Sequence, residues 1–329
     1  MIDGSGRQIR SESFETSEEA IGAFCRSQSK LMKVYLEAST GSAWASRVIE
    51  ANGQRPIVID PNRNRLVSGS TKKTDRHDAA ALAAAGRAGL LVQVHIRSEE
   101  TDRVRRVVSA RQALVRARAN LVRAVRAMYR AEGEVLPKAD TDDFARLLKG
   151  TWGVRPEQED AVLPLVEAIE ATTGQVLVAE ATIQRHAAEN VELVRRLKTI
   201  PGVGDLIAVA FLAHVEDAGR FENAGQVAGY LGLAPWVNES AGKRRDGTIT
   251  KHGNKTLRSM LVQAAWSHLR SSDDTALKRW VTKLKARVGA KKAATALARK
   301  LGELMWTLWR RGVDYQPFPS AARRAPAPP

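Results

Sequence analysis

Glu37 ends the apolar run Val34-Tyr35-Leu36, and Asp75 and Asp78 stand three residues apart in an alanine-rich stretch of helical composition. Carboxylates at i and i+3 are neighbours on a helix, and a third at a nearby strand end would complete a cage of hard oxygen donors for Mg²⁺ or Mn²⁺. Two such ions would activate a nucleophile and stabilise the leaving oxygen of a phosphodiester. By spacing alone, the same residues serve equally as a helix cap, a surface charge beside Arg76 or Arg87, and a strand-end carboxylate.

A second set lies in a Gly-, Pro- and charge-rich loop from Gly232 to Gly253. Ser240 stands two residues before Gly242 and is followed by Lys243, Arg244, Arg245, Lys251, Lys255 and Arg258. Such a serine could attack phosphorus while the cations stabilise the developing oxyanion. Ser39, Ser42, Ser109 and Ser259 are its equals by composition. A third set is the segment Leu197 to Gly204 followed by Asp205 to Ala213, which has the form of a helix-hairpin-helix turn. Gly202 and Gly204 would let the backbone approach a phosphate at a helix N-terminus, and the alternative is a tight helix connection with no ligand. The six histidines show no zinc spacing. Trp306 and Trp309, at helical spacing, suit a core better than a base-stacking platform.

The elements that must carry these residues fall into three parts. A strand near Gln8 to Phe14, a helix from Ser17, a strand from Lys33 to Glu37, a helix over Ser42 to Asn52 and a strand over Pro56 to Ile59 predict an α/β layer in residues 1–95. Asp75 to Gly86 then predicts a helix with Asp75 in its first turn. In residues 96–198, Val107, Leu114, Leu121 and Met128 recur every seven residues, with Ala110, Ala117 and Ala124 between them and Val108, Val115, Val122 and Tyr129 alongside. That repeat predicts a coiled coil. The breakers of Gly133 to Pro156 and a second periodic stretch, Val162, Val166, Ile169, Val176, Ile183, Ala187, Val194 and Leu197, fold it into an antiparallel arm suited to self-association. Residues 199–315 read as a mainly α domain, and 316–329 as a disordered tail.

Charge points to a polyanion. The 329 residues hold 52 Lys and Arg against 36 Asp and Glu, a formal charge of +16. Eighteen of the bases, with only four acids, lie between Lys243 and Arg311, and nine arginines without an acid lie between Arg103 and Arg130. Nucleic-acid phosphates are the expected partner. The single Cys25 excludes an internal disulfide, and no run of about 18 apolar residues predicts a membrane span, so a cytoplasmic protein is expected.

Together, VYLEASTG at Val34–Gly41, KKTDRHDA at Lys72–Ala79, TIPGVGDLIA at Thr199–Ala208, GYLGLAP at Gly229–Pro235 and SAGKRRDGTITKHGNKTLR at Ser240–Arg258 resemble the DEDD-type insertion-sequence transposases of the IS one-ten family. The resemblance covers nearly the whole chain. It implies a RuvC-like (RNase H-like) N-terminal domain, a coiled coil and a C-terminal transposase domain with a nucleophilic serine. The family's glutamate falls on Glu37 and its later aspartates on Asp75 and Asp78, which would bind the divalent metal; its serine falls on Ser240. The resemblance also implies DNA recombination directed by a bridge RNA, in homo-oligomers whose protomers share active sites. One departure stands out: the chain begins at or just after the strand expected to carry the family's first aspartate, and Asp3 is misplaced for that role. An unpaired sheet edge, low stability and weak metal binding are therefore expected. A RuvC-like structure-selective nuclease and a non-catalytic binding remnant are the competing readings.

Overall fold

The computed structural model describes residues 1–61, 75–240, 243–272 and 274–318, with the backbone alone at 75–76, 237–240 and 243–246. The chain is predominantly helical and divides into two compact units, Met1–Ser98 and Glu99–Pro329.

In the first unit, α1 (Glu18–Arg26) starts where the Ser17 hydroxyl accepts from the Ala20 amide at 3.2 Å, with Glu18 and Glu19 at its positive end and Arg26 at its negative end. The strand β1 (Lys33–Glu37), helix α2 (Ser42–Ala51) and strand β2 (Arg55–Ile59) form a parallel βαβ unit, in register from Lys33 opposite Arg55 to Glu37 opposite Ile59. Ile21, Cys25, Val48 and Ile49 are its buried core, with Val34 and Leu36 packed against them. Gln54 clamps it: its carbonyl accepts from the Met32 amide at 2.7 Å and its amide donates to the Cys25 carbonyl at 3.2 Å. On the other edge of β2, Val94 N donates to Val58 O at 2.7 Å and Asp60 N to Val92 O at 3.1 Å. β2 is thus flanked on both sides. Helix α3 (Asp75–Arg87) packs on β1, with the Tyr35 hydroxyl donating to Gly86 O at 3.0 Å.

The strand expected at Gln8–Phe14 does not form. Residues 8–14 make only a single bridge, Gln8 to Ile2, and Ile9 and Phe14 are exposed. The physical reason is local: Asp3 Oδ1 accepts from Ser5 N, Ser5 Oγ and Arg7 N, turning the chain back on itself within seven residues. Asp3 is therefore a turn residue, and these bonds, the Ser5 hydroxyl foremost, hold its carboxyl below the usual range.

The second unit begins with α4 (Glu99–Ala131), a four-residue helix α5 (Phe144–Leu147), and α6 (Glu159–Glu189). Arg111 ion-pairs with Glu180 while Arg118 reaches Thr173, so α4 and α6 run antiparallel. The residues foreseen on α6 are buried, from Val162 to Ala187. On α4 the packing face differs from the one expected. Val108, Val122, Val125 and Tyr129 are buried, whereas Leu114 and Leu121 are half-buried and Ala110, Ala117 and Met128 exposed. The adjacent seven-residue line faces α6, and Tyr129 OH anchors the connection by donating to Gly153 O at 3.3 Å. Pro156–Glu189 is long and apolar enough to cross a membrane, contrary to the reading of the sequence, but by length and composition alone. It lies alongside α4, as a core helix of a helical hairpin does.

Helices α7 (Val191–Lys198), α8 (Asp205–Val215) and α9 (Ala224–Tyr230) follow, then strands β3 (Pro235–Ser240) and β4 (Lys243–Ile249), and α10 (Lys255–Arg270), α11 (Ala276–Val288) and α12 (Ala290–Arg311). Leu297, Ala298, Leu301 and Met305 of α12 are fully buried, each large side chain contributing roughly 1.5–3 kcal/mol. Gly302 makes room for Leu231, and Trp306, buried as expected, donates to Ala218 O at 2.9 Å. The segment read as a loop from Gly232 to Gly253 is instead largely an antiparallel hairpin, β3 with β4. Pro, Gly and five charges masked its alternation. At the C-terminus, Pro317 O accepts from Ala276 N at 2.9 Å, so the chain is held to α11 at that point; residues 319–329 of the expected tail lie outside the described residues.

Candidate active site

The hairpin stands on a neck in which two backbones touch. Gly232 adopts φ +67°, and a Cβ there would lie 2.6 Å from Gly253 N. On Gly253, a Cβ would lie 2.5 Å from the Leu231 carbonyl carbon and closer still to Tyr230 O. Lys251 N donates to Gly232 O at 3.1 Å and Thr250 N to Ala234 O at 2.9 Å, closing the neck. Asn254 caps α10 by accepting from Leu257 N at 2.9 Å. One strand is thus tied to the end of α9 and the other to the start of α10. Ser240 lies at the far end of β3, opposite Lys243, with Asn238 opposite Arg245 and Glu239 opposite Arg244. At about 3.3 Å per residue, it is roughly 16 Å along the strand from Pro235. The side chains of Ser240, Lys243, Arg244 and Arg245 lie outside the description.

Lys251 and Lys255 are exposed at the base of this hairpin. Arg258, expected to meet a phosphate, is half-buried and donates to Gly253 O at 3.0 Å, and burial lowers its pKa. It fastens the neck through this bond.

The turn Thr199–Gly204 joins α7 to α8 with Ile200 and Val203 buried. Gly202 adopts φ +89°, and a Cβ there would lie 2.8 Å from Ala264 O. Packing against α10 by itself requires glycine at 202. Gly204 has nothing within 4 Å of a Cβ position. At the start of α8, Asp205 is bonded to Lys198 at 2.8 Å, which holds its carboxyl below the usual range. This carboxylate already complements the positive helix end where a phosphate was expected.

In the first unit, Glu37 is exposed at the end of β1 and Asp78 is exposed in the first turn of α3. Asp75 opens α3, and its side chain lies outside the description, as do Lys72 to Thr74. Among the described residues neither Glu37 nor Asp78 has an ion-pair partner, and no three His, Cys, Asp or Glu groups surround a point that could hold a metal ion. Free carboxylate oxygens are donors that suit Mg²⁺ or Mn²⁺, so the two residues fit as ligands of such an ion. Cys25 is not a competing nucleophile, because burial raises its thiol pKa.

The family model described as Transposase IS116/IS110/IS902 family matches residues 194–280, and a DEDD-type transposase model of the same group matches residues 1–131. The chain belongs to the IS110 family of insertion-sequence transposases. It is 29% identical over 292 residues to the "Probable family 20 transposase" of Pseudomonas aeruginosa, covering 86% of both chains. To the "Transposase for insertion sequence element IS1111A" of Coxiella burnetii it is 27% identical over 289 residues, covering 86% of this chain and 79% of that one.

In this transposase the matched stretch 194–280 runs from α7 into α11, and so takes in the turn, the neck and the hairpin. The matched stretch 1–131 takes in the βαβ unit, α3 and α4. Such a DEDD domain implies use of a divalent metal. The reading of the sequence missed the neck of the transposase. Its signal was the glycine pair itself, Gly232 and Gly253, one on each side of the hairpin. Also missed was Gly247, which lies against Trp236: a Cβ at 247 would meet Trp236 O at 3.2 Å.

Proposed function

We propose that this transposase cuts and rejoins DNA in the cytoplasm through Ser240, with Glu37, Asp75 and Asp78 as ligands of Mg²⁺ or Mn²⁺ and a bridge RNA directing the choice of site. The observation that carries this reading is the hairpin pinned at its neck, whose far end bears Ser240 opposite Lys243. The Ser240 hydroxyl gives up its proton, Oγ bonds to phosphorus, and one ester oxygen leaves and is protonated. Attack by a hydroxyl from another DNA end then reverses the step with exchanged strands. Lys243, Arg244 and Arg245 stabilise the charge developing on phosphorus, and Lys251 and Lys255 hold the flanking backbone. Gly204, open to its surroundings, lets a further phosphate approach beside the turn, while Gly202 serves that turn by fitting against α10. When bound, the metal supplies positive charge to the phosphodiester oxygens. The RuvC-like character of the first unit is supported by its parallel βαβ core. The test is a nicked substrate that stalls the reaction after attack. A DNA adduct mapped by mass spectrometry to Ser240 is expected; free ends without an adduct would indicate a hydrolytic nuclease and refute the serine.

The enzyme acts as a homo-oligomer in this reading. The line Val107, Ala110, Leu114, Ala117, Leu121, Ala124 and Met128, left half-buried or exposed by α6, keeps the seven-residue spacing that a second copy can interdigitate with. Replacing both Leu114 and Met128 by Glu should lower the sedimentation mass to that of one chain with unchanged helical circular dichroism. An unchanged mass would remove the stripe as the interface.

A further inference from the structure

The fold sorts the five tryptophans of the basic C-terminal part. Trp306 is buried, Trp266 and Trp309 are half-buried, and Trp236 and Trp280 are exposed, at 56% and 42%. Trp280 lies on α11 three residues before Lys283 and seven before Arg287, a spacing that puts all three on one side of the helix. Leu277 and Val281, both buried, anchor the helix to the core, and Trp280 borders that face with much of its ring left in the open.

From Ala276 to Gly302 there is no Asp or Glu. Four of the cations in this stretch are occupied: Arg299 and Lys300 pair with Glu303, and the other two lie on α11. Lys278 Nζ donates to the carbonyls of His268, Leu269 and Ser271 at the end of α10, and Arg279 pairs with Asp274 and lies 5.0 Å from the centre of the Phe318 ring. Lys283, Lys285, Arg287, Lys291 and Lys292 are exposed, and none has an ion-pair partner among the described residues. An apolar protein surface seated here would strip water from five uncompensated charges. A phosphodiester strand compensates them.

We propose that the outward side of α11 binds unpaired nucleotides: Trp280 stacks on a base while Lys283 and Arg287 contact the flanking phosphates, and Lys291 and Lys292 extend the track at the start of α12. The indole selects for an unpaired strand because bases inside a duplex have both faces covered by their neighbours. Thirteen residues of helix span about 20 Å, enough for a few nucleotides of single strand. This site involves neither Ser240 nor the carboxylates, so it stands or falls independently of the strand-exchange chemistry.

The test uses the full chain with labelled oligo(dT), oligo(U) and a duplex of equal length, with affinities measured by fluorescence anisotropy across a salt series. Trp280→Ala should weaken single-strand binding about tenfold, the weight of one base–aromatic stack, and leave duplex binding within about twofold. The slope of log affinity against log salt should stay unchanged, and Trp280→Phe should recover most of the loss. An abasic strand should abolish the difference between Trp280→Ala and the parent. Replacing Lys283 and Arg287 together by Ala should reduce the slope by roughly 1.4, as expected for two lost single-strand phosphate contacts. A loss confined to oligo(dT) or to oligo(U) would identify the strand as DNA or RNA; a loss on both means that the sugar is not read. An equal loss on duplex, no loss on either strand, or a change in sedimentation mass without loss of affinity would overturn the proposal, the last by making Trp280 a contact between chains.

Discussion

Gly253→Ala should destabilise the C-terminal unit by about 3 kcal/mol and abolish strand exchange. The added methyl group would lie 2.5 Å from the Leu231 carbonyl carbon and 2.7 Å from Gly232 N. These are backbone atoms between α9 and α10 and cannot rotate aside as a flexible side chain would, so the neck must open. Opening it releases the Lys251 and Arg258 bonds to Gly232 O and Gly253 O and displaces the hairpin that bears Ser240. In a unit of this size, such a loss lowers the melting temperature by roughly 6–12 °C in calorimetry. Gly174→Ala is the control. Gly174 lies inside α6 with nothing within 4 Å of a Cβ position, so alanine there should stabilise the protein by about 1 kcal/mol. A Gly253→Ala protein with parental melting temperature and activity would show that the neck does not position the hairpin.

Ser240→Ala should abolish strand exchange, with a fall of at least about a thousandfold, because the covalent route is lost with its nucleophile. DNA affinity should stay within about twofold, since the backbone register of the hairpin and the exposed Lys251 and Lys255 are unchanged. Asp78→Asn should also abolish exchange but by a different cause. It removes a charge from an exposed residue of α3, so it should weaken Mn²⁺ binding in a titration where Ser240→Ala does not. Retained exchange in Ser240→Ala would exclude that serine. Equal Mn²⁺ affinity in Asp78→Asn and the parent would exclude Asp78 as a ligand.

Several features were determined by the sequence itself. The positions buried along α6 follow from period alone, because Val162, Val166, Ile169, Val176, Ile183 and Ala187 recur on one side of any helix built from that stretch. The βαβ unit that carries Glu37 follows from two short apolar runs separated by an amphipathic segment, and the five ordered motifs pointed to the transposase family. Tertiary structure decided what local pattern leaves degenerate. Two adjacent seven-residue lines on α4 have nearly the same period, and only contact with α6 selects Val108, Val122 and Tyr129 over Leu114 and Leu121. Gly202 looked like an approach for phosphate, yet its constraint comes from Ala264 O, more than sixty residues away in the chain. Arg258 resembled a phosphate ligand, and only the fold shows that it also holds the Gly253 carbonyl. Period and propensity are properties of neighbouring residues. Which side of a helix packs, which glycine is pinched and which cation is already bonded depend on surfaces supplied by distant segments, and these meet only in the folded chain.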